Sequence, residues 1–223
     1  MLPKLEREVQ VMCGFGYIPS TNVYKVVRMY ELSDKHVQVE VYTLGSGQGW
    51  RDIGQLEHAV RCYLLPGVFA NGAVHWLNTE QTIFSFDLAD EKFSQFPSPT
   101  FLPRPGNRLS LGLLGDNLCA TYGNSDRFSS YNPFHRNHDR SFDIWLLKKN
   151  KDDHGMSWIK QFNLVGYEPF AFTKSGGLLC YGSDRKNIYH YNPKDASSKM
   201  VIKCGYLNLE AVLHKNTFVG LRS

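Results

Sequence analysis

Residues 61–98 read RCYLLPGVFANGAVHWLNTEQTIFSFDLADEKFSQFPS and spell out four strands joined by three turns. An apolar strand ends at Ala70, and the pair Asn71-Gly72 turns the chain into AVHWL at 73–77. The polar run NTEQ turns it again into TIFSFDL at 82–88, and ADEK turns it into the last strand. Asn followed by Gly supplies the two positive backbone angles of a type I′ turn, whose twist matches that of the strands on either side. The stretch is therefore one four-stranded antiparallel sheet. Alone, such a sheet cannot bury both faces.

The same unit recurs outward from this copy, with loops of different length. Before it stand VMCGFGYIPS, VYKVVRMYEL, VQVEVYTLGS and GWRDIGQ. After it stand SLGLLG, LCATYG, SFDIWLLKK and SWIKQFNL, then EPFAFTK, LLCYGS, IYHYNP and KMVIKC. A fifth copy, LNLEAVL-HKN-TFVGLRS, stops halfway at Ser223. Val39 and Val41 alternate with Gln38 and Glu40 at the period of a half-buried strand, and Phe84/Phe86 and Ile144/Leu146 keep the same rhythm. Repetition of one sheet at a fixed period predicts sheets packed face to face around an axis. The expectation is an all-β, kelch-like β-propeller of four-stranded blades, an incomplete ring of about four and a half. The best helix candidate, Leu5 to Met12 after Pro3, is short and poorly periodic.

At 223 residues the chain exceeds the usual prior of about 150 per domain, but all-β repeat folds of this size form one domain, so residues 1–223 are read as a single unit. The net charge of +4 is spread without long runs, which points away from nucleic-acid and membrane partners. No apolar stretch approaches a membrane-spanning length, and MLPKLEREVQ lacks the apolar region of a signal peptide. Cys13, Cys62, Cys119, Cys180 and Cys204 are odd in number and lie in or beside apolar strands, so reduced, buried thiols are expected. There is no Asn-x-Ser/Thr acceptor. Together these features place the chain in the cytosol or nucleus.

Several motifs invite chemistry and are better read as structure. Gly45 to Gly49, GSGQG, is followed by a strand and not by a helix N-terminus, so it reads as a hairpin turn and not as a phosphate loop. His135, His138 and Asp139 have metal-like spacing, but no C-x-x-C pair completes a zinc site, and a polar loop without metal is expected. His75, between Val74 and Trp76, reads as a core histidine with one ring nitrogen satisfied. Glu40, Asp87 and Asp143 fall in three different third strands, which spreads them around a ring, and Asp87 and Asp143 are expected to hold backbone amides. No G-x-S-x-G elbow is present. The aromatics Tyr42, Trp50, Trp76, Phe84, Phe86, Phe93, Trp145, Trp158, Tyr189 and Tyr191 recur at corresponding strand positions, as residues that pack between blades do. No catalytic residue is assigned.

One stretch breaks the repeat. Between the second and third strands of the third blade the other copies spend about four residues, whereas NSDRFSSYNPFHRNHDRS spends roughly eighteen. Long insertions on a repeat scaffold commonly carry function. Arg127, Arg136 and Arg140 with Phe128, Tyr131 and Phe134 match the Arg and aromatic enrichment of protein interfaces. The partner-binding residues expected are Arg127, Phe128, Tyr131, Phe134, His135, Arg136 and His138.

GFGYIPSTNVYKVVRM, VEVYTLGSGQGWRDIG, GVFANGAVHWL, IFSFDLADEKF and DIWLLKK, in this order, resemble the F-box-associated domain of plant F-box proteins, including the S-locus F-box group. The resemblance covers almost the whole chain. It implies a non-enzymatic substrate-recognition module of an SCF-type cullin ubiquitin ligase that needs no cofactor, with a protein substrate as partner. A Skp-type adaptor and a cullin would join only through an F-box upstream. Neither that F-box nor the family's first blade is recognisable before Gly14, so the resemblance also implies a truncated product or incomplete gene model, less stable than a form with its missing blade restored. The competing expectations are a carbohydrate-binding or glycoside-acting propeller, which would need paired carboxylates or an aromatic platform at the ring centre, and an interaction scaffold unrelated to ubiquitin.

Overall fold

The computed structural model describes residues 9–33, 36–57, 66–78, 80–99, 107–124, 141–150, 155–173, 175–182 and 186–203. Sixteen strands form four four-stranded antiparallel sheets, and no helix occurs among the described residues. Blade 1 is β1 (Val11–Ile18), β2 (Val23–Ser33), β3 (His36–Thr43) and β4 (Trp50–Glu57). Blade 2 is β5 (Val68–Ala70), β6 (Ala73–Leu77), β7 (Thr82–Asp87) and β8 (Phe93–Pro97). Blade 3 is β9 (Asn107–Leu114), β10 (Asn117–Asn124), β11 (Ser141–Lys149) and β12 (Met156–Val165). Blade 4 is β13 (Tyr167–Phe172), β14 (Leu178–Gly182), β15 (Asn187–Asn192) and β16 (Ser197–Lys203). In every blade the spatial order of strands is their order in the chain.

The blades follow one another through their first strands. β1 packs on β5 and β6, β5 on β9 and β10, and β9 on β13. These first strands run in the same direction. The Gly67 N–H just before β5 donates to the Cys13 carbonyl near the start of β1 at 2.7 Å. Farther along, a Cβ on Gly16 would collide with Phe69, and one on Gly115, just past β9, would touch Phe172 at the end of β13. One end of the propeller therefore carries the first-to-second and third-to-fourth strand turns. The other carries the second-to-third strand loops and the blade-to-blade connections. Among the described residues the four blades form an open array and no closed ring. The expected fifth half-blade, 207–223, lies outside them.

Adjacent blades share apolar cores, and blades 2 and 3 share a second one in which Ala70 meets Leu118 and Leu147. Val27, Met29, Val39 and Val41 of blade 1 meet Val74, Trp76, Phe86 and Leu88 of blade 2. Leu77 and Ile83 of blade 2 meet Leu109, Ala120 and Tyr122 of blade 3. Leu114, Ile144, Leu146 and Leu164 of blade 3 meet Leu178 and Cys180 of blade 4. A buried aliphatic or aromatic side chain contributes about 1.5–3 kcal/mol, so these shared cores are the main force joining the blades. At the first of them the strands approach so closely that Gly14, Gly16 and Gly67 have no room for a Cβ. The turns form as their residues dictate: Asn71 and Gly72 take φ of 52° and 83°, and Gly45, Gly47 and Gly49 all take positive φ in the β3–β4 hairpin.

Val11 and Met12 open β1, as expected of VMCGFGYIPS, because Met12 alternates with Gly14 and Ile18 on the face toward blade 2. Three expectations need correction. Gln38, expected on an exposed face, is buried, its amide donating to Asp52 Oδ1 at 2.5 Å and to the Gly54 carbonyl at 3.2 Å. Cys119 and Cys180 are free and buried as expected, with burial pushing their thiols up to about 11 and about 12, but Cys13 is exposed on the face of β1 turned away from blade 2. Cys62 and Cys204 lie outside the described residues. Trp76, Phe86, Trp145, Trp158 and Tyr191 do pack between blades. Tyr42 and Trp50 instead pack edge to face on each other, 5.4 Å between centroids, outside those shared cores.

Candidate functional site

The second-to-third strand connection of blade 3 leaves from Asn124, which is paired with Asn107, and returns at Ser141, which is paired with Val165. Both anchor points lie at the end of the propeller that carries the blade-to-blade connections. The residues between them, 125–140, include every expected partner-binding residue: Arg127, Phe128, Tyr131, Phe134, His135, Arg136 and His138 lie outside the described residues. His135, His138 and Asp139, whose spacing was read as a polar loop without metal, lie outside the described residues too. Among the described residues, no three His, Cys, Asp or Glu side chains are grouped to hold a metal ion.

The root of this connection is a fixed polar cluster. Asn163 Nδ2 donates to Asp143 Oδ1 at 2.6 Å and to Ser141 Oγ at 3.0 Å. Lys160 Nζ reaches the same Asp143 oxygen at 2.7 Å and lies 6.0 Å from the centre of the Trp145 ring. Asp143 and Trp145 share one face of β11, the face on which Trp145 packs toward blade 2, and the bulge between Ile144 and Trp145 sets Lys160 of β12 opposite Trp145. Sequence reasoning singled out Asp143 but missed Lys160 and Asn163. The bonds of Asp143 to the Asn163 and Lys160 side chains were not foreseen. The register shift that aligns them carries no sequence signature.

The other two strand carboxylates are committed elsewhere. Asp87 Oδ1 accepts the Ala89 and Asp90 amides at 2.8 Å each, capping the β7–β8 turn as expected. Glu40 pairs with Arg28 Nε across β2 and β3. Arg28, buried to 7% exposure, also lies 3.9 Å from the centre of the Trp50 ring. This ion pair faces away from blade 2 and was not foreseen. Its signal was a charge set inside each of two otherwise apolar runs, VVRMY and VEVY. These three carboxylates stand on three different blades and each is already bonded, so they do not form with one another an acid and base pair of the kind glycoside hydrolysis uses.

Two further groups define the electrostatics of the scaffold. Lys25 Nζ donates to the Leu88 carbonyl at 2.6 Å and to Glu91 Oε1 at 2.8 Å, and Arg51 binds the same carboxylate oxygen. The Arg51 hydrogen bond chiefly, with Lys25 adding to it, holds the Glu91 carboxyl below its ordinary range despite partial burial. The trio locks blade 1 to the β7–β8 turn of blade 2 at the hairpin end. His75 is a core histidine as expected: Nε2 lies 3.1 Å from the Ala70 carbonyl, Nδ1 has no partner, and burial pushes its pKa down.

The family model described as the F-box associated beta propeller domain matches residues 1–209. An F-box/kelch-repeat protein of Arabidopsis thaliana is 26% identical over 198 residues, 83% of this chain and 49% of that protein. An F-box protein of the same plant is 24% identical over 192 residues, 72% of this chain and 41% of that protein. A putative F-box protein, also of A. thaliana, is 33% identical over 120 residues, 50% of this chain and 39% of that protein. The chain spans less than half the length of each of these relatives.

Proposed function

The chain belongs to the F-box associated β-propeller family, and from that premise we propose that it is the substrate-recognition module of an SCF-type cullin ubiquitin ligase of plants. The observation that carries the reading is the family match along residues 1–209, joined to relatives that are F-box proteins. The propeller binds a protein and performs no chemistry. An F-box in the same polypeptide docks a Skp-type adaptor, the adaptor holds the cullin, and the captured substrate is thereby kept near the loaded ubiquitin-conjugating enzyme. Holding two reactants together in this way is catalysis by proximity.

The scaffold suits that task. Four blades joined by shared apolar cores give a stiff body, and the long 125–140 connection springs from one end of it. The Ser141–Asp143–Asn163–Lys160 cluster fixes the root of that connection. Its Arg and aromatic content is of the kind that anchors protein interfaces. The site is thus the inserted connection, with Arg127, Phe128, Tyr131, Phe134, His135, Arg136 and His138 as the contacting side chains. The free, buried Cys119 and Cys180 suit a reducing cytosolic or nuclear setting.

The test is a fusion of the chain behind a heterologous F-box segment, expressed in plant cells. Proteins carrying ubiquitin remnants are then compared with those from the F-box segment alone. The expected result is a set of ubiquitylated proteins that appears only with the propeller. Identical sets would overturn the reading.

A further inference from the structure

The outermost strand of blade 4 differs from its counterparts. Every residue of β16 is exposed, whereas β8 keeps two residues half-buried and β12 keeps three, with a fourth buried. Met200, Val201 and Ile202 form an unbroken apolar run, 47%, 49% and 48% exposed, flanked by the exposed Lys199 and Lys203. Among the described residues β16 ends its sheet and pairs on one side with β15. Its outer backbone edge is a template for another strand.

We propose that the β16 edge captures an extended segment of a protein partner by strand addition, and that the segment has an apolar centre with acidic residues on both sides. This rests on the reading of the chain as a protein-binding receptor, and names a chemistry for part of the partner. Backbone hydrogen bonds along the edge supply the register, and alternate side chains supply selectivity. The charge argues for an acidic occupant. Among the described residues of blade 4 and its turns, Lys186, Lys194, Lys199 and Lys203 stand against Glu168 and Asp195. The bulge at Ile188/Tyr189 pairs Lys199 with His190 and Lys203 with Asn187, which sets the two ammonium groups on opposite faces of the sheet. An incoming strand therefore meets a cation on each face, one at either end of the apolar run.

A second copy of this chain is a poorer occupant: β16 carries Lys199 and Lys203 and no carboxylate, so two such edges would bring four ammonium groups together with nothing from either strand to neutralise them.

The test uses the full chain and two labelled peptides, acetyl-Asp-Glu-Val-Ile-Val-Glu-Asp-amide and its counterpart with Lys at all four acidic positions, followed by fluorescence anisotropy. The acidic peptide should bind and weaken as salt is raised, and the lysine peptide should not bind. Lys199→Glu with Lys203→Glu should weaken the acidic peptide by about tenfold or more and create binding of the lysine peptide, since opposite-charge pairs across a ladder are favourable. Both positions are exposed, so circular dichroism should show the fold unchanged. Methylating alternate peptide nitrogens in one phase should abolish binding, and in the other phase should spare it, because a strand presents its donors to one neighbour at every second residue. Equal binding to wild-type and charge-reversed protein, equal effects of the two methylation phases, or no binding of either peptide would each overturn the proposal. In the F-box fusion, unchanged ubiquitylation by the charge-reversed variant would remove the edge from substrate capture and leave the receptor reading standing.

Discussion

Gly14→Ala tests whether the shared core of blades 1 and 2 is as close as the structure shows. A Cβ on Gly14 would sit 2.7 Å from Trp76 Cζ2 and closer still to Val74 Cγ1, whereas ordinary contact begins near 3.4 Å. Neither neighbour yields easily: Val74 and Trp76 are 0% and 2% exposed, and valine is restricted at χ1. One added methyl must therefore shift a packed side chain or the strands by roughly 1 Å, and overpacking of this kind costs about 1–3 kcal/mol. The rigidity gained on losing a glycine returns only about 0.5–1 kcal/mol. Gly112→Ala is the control, since a Cβ there meets nothing within 4 Å, and it should be neutral or slightly stabilising. Val74→Ala removes the closest atom, so the double variant Gly14→Ala/Val74→Ala should be more stable than the two single effects predict by about 1 kcal/mol. The assay is reversible urea unfolding followed by the fluorescence of the four tryptophans, one of which, Trp76, lies in this core. Additivity within about 0.5 kcal/mol, or a Gly14→Ala variant as stable as Gly112→Ala, would refute the packing argument.

Arg28→Met should destabilise the chain by about 1–3 kcal/mol in the same assay, because it leaves the Glu40 carboxylate, itself 17% exposed, without its cation. Removing both members as Arg28→Met/Glu40→Met should cost less than that. Glu91 has a folded-state pKa below its ordinary 4.5, so its contribution to stability is present above pH 4.5 and is lost as pH falls through the lower folded value. Unfolding of Glu91→Gln followed against pH should show a shallower acid limb than wild type, and an identical limb would deny the role of Arg51 and Lys25. Brief alkylation at pH 8 with peptide mapping should mark Cys13 in the native protein. Cys119 and Cys180, whose thiols burial pushes to about 11 and about 12, should be marked only after unfolding.

The strands were legible because their pattern is local. Alternating apolar residues, Asn71-Gly72 and the glycines of GSGQG each dictate backbone geometry within a few residues, and the observed strands fall where these signals put them. The face that each strand buries was legible for Val39 and Val41 but not for Gln38, whose burial depends on Asp52 and Gly54 of the next strand. The same limit hid the Arg28–Glu40 pair, the Lys25–Glu91–Arg51 trio and the cluster around Asp143. Lys25 and Glu91 are 66 residues apart in the chain and meet only because two blades pack. Cys13 looked like a core thiol because β1 is apolar at both parities. Among the described residues, the packing of β1 on blade 2 decides which parity is buried. The inserted connection was found by its length against the repeat, a signal that needs no tertiary information.

The central claim is that packed blades present the 125–140 connection to a protein partner. In the F-box fusion, residues 125–140 are replaced by a four-residue turn, and the propeller-dependent ubiquitylated proteins are measured together with the unfolding midpoint. The account predicts that those proteins disappear while the midpoint stays close to that of the parent fusion. Undiminished ubiquitylation of the same proteins by a folded, loop-deleted fusion would contradict it.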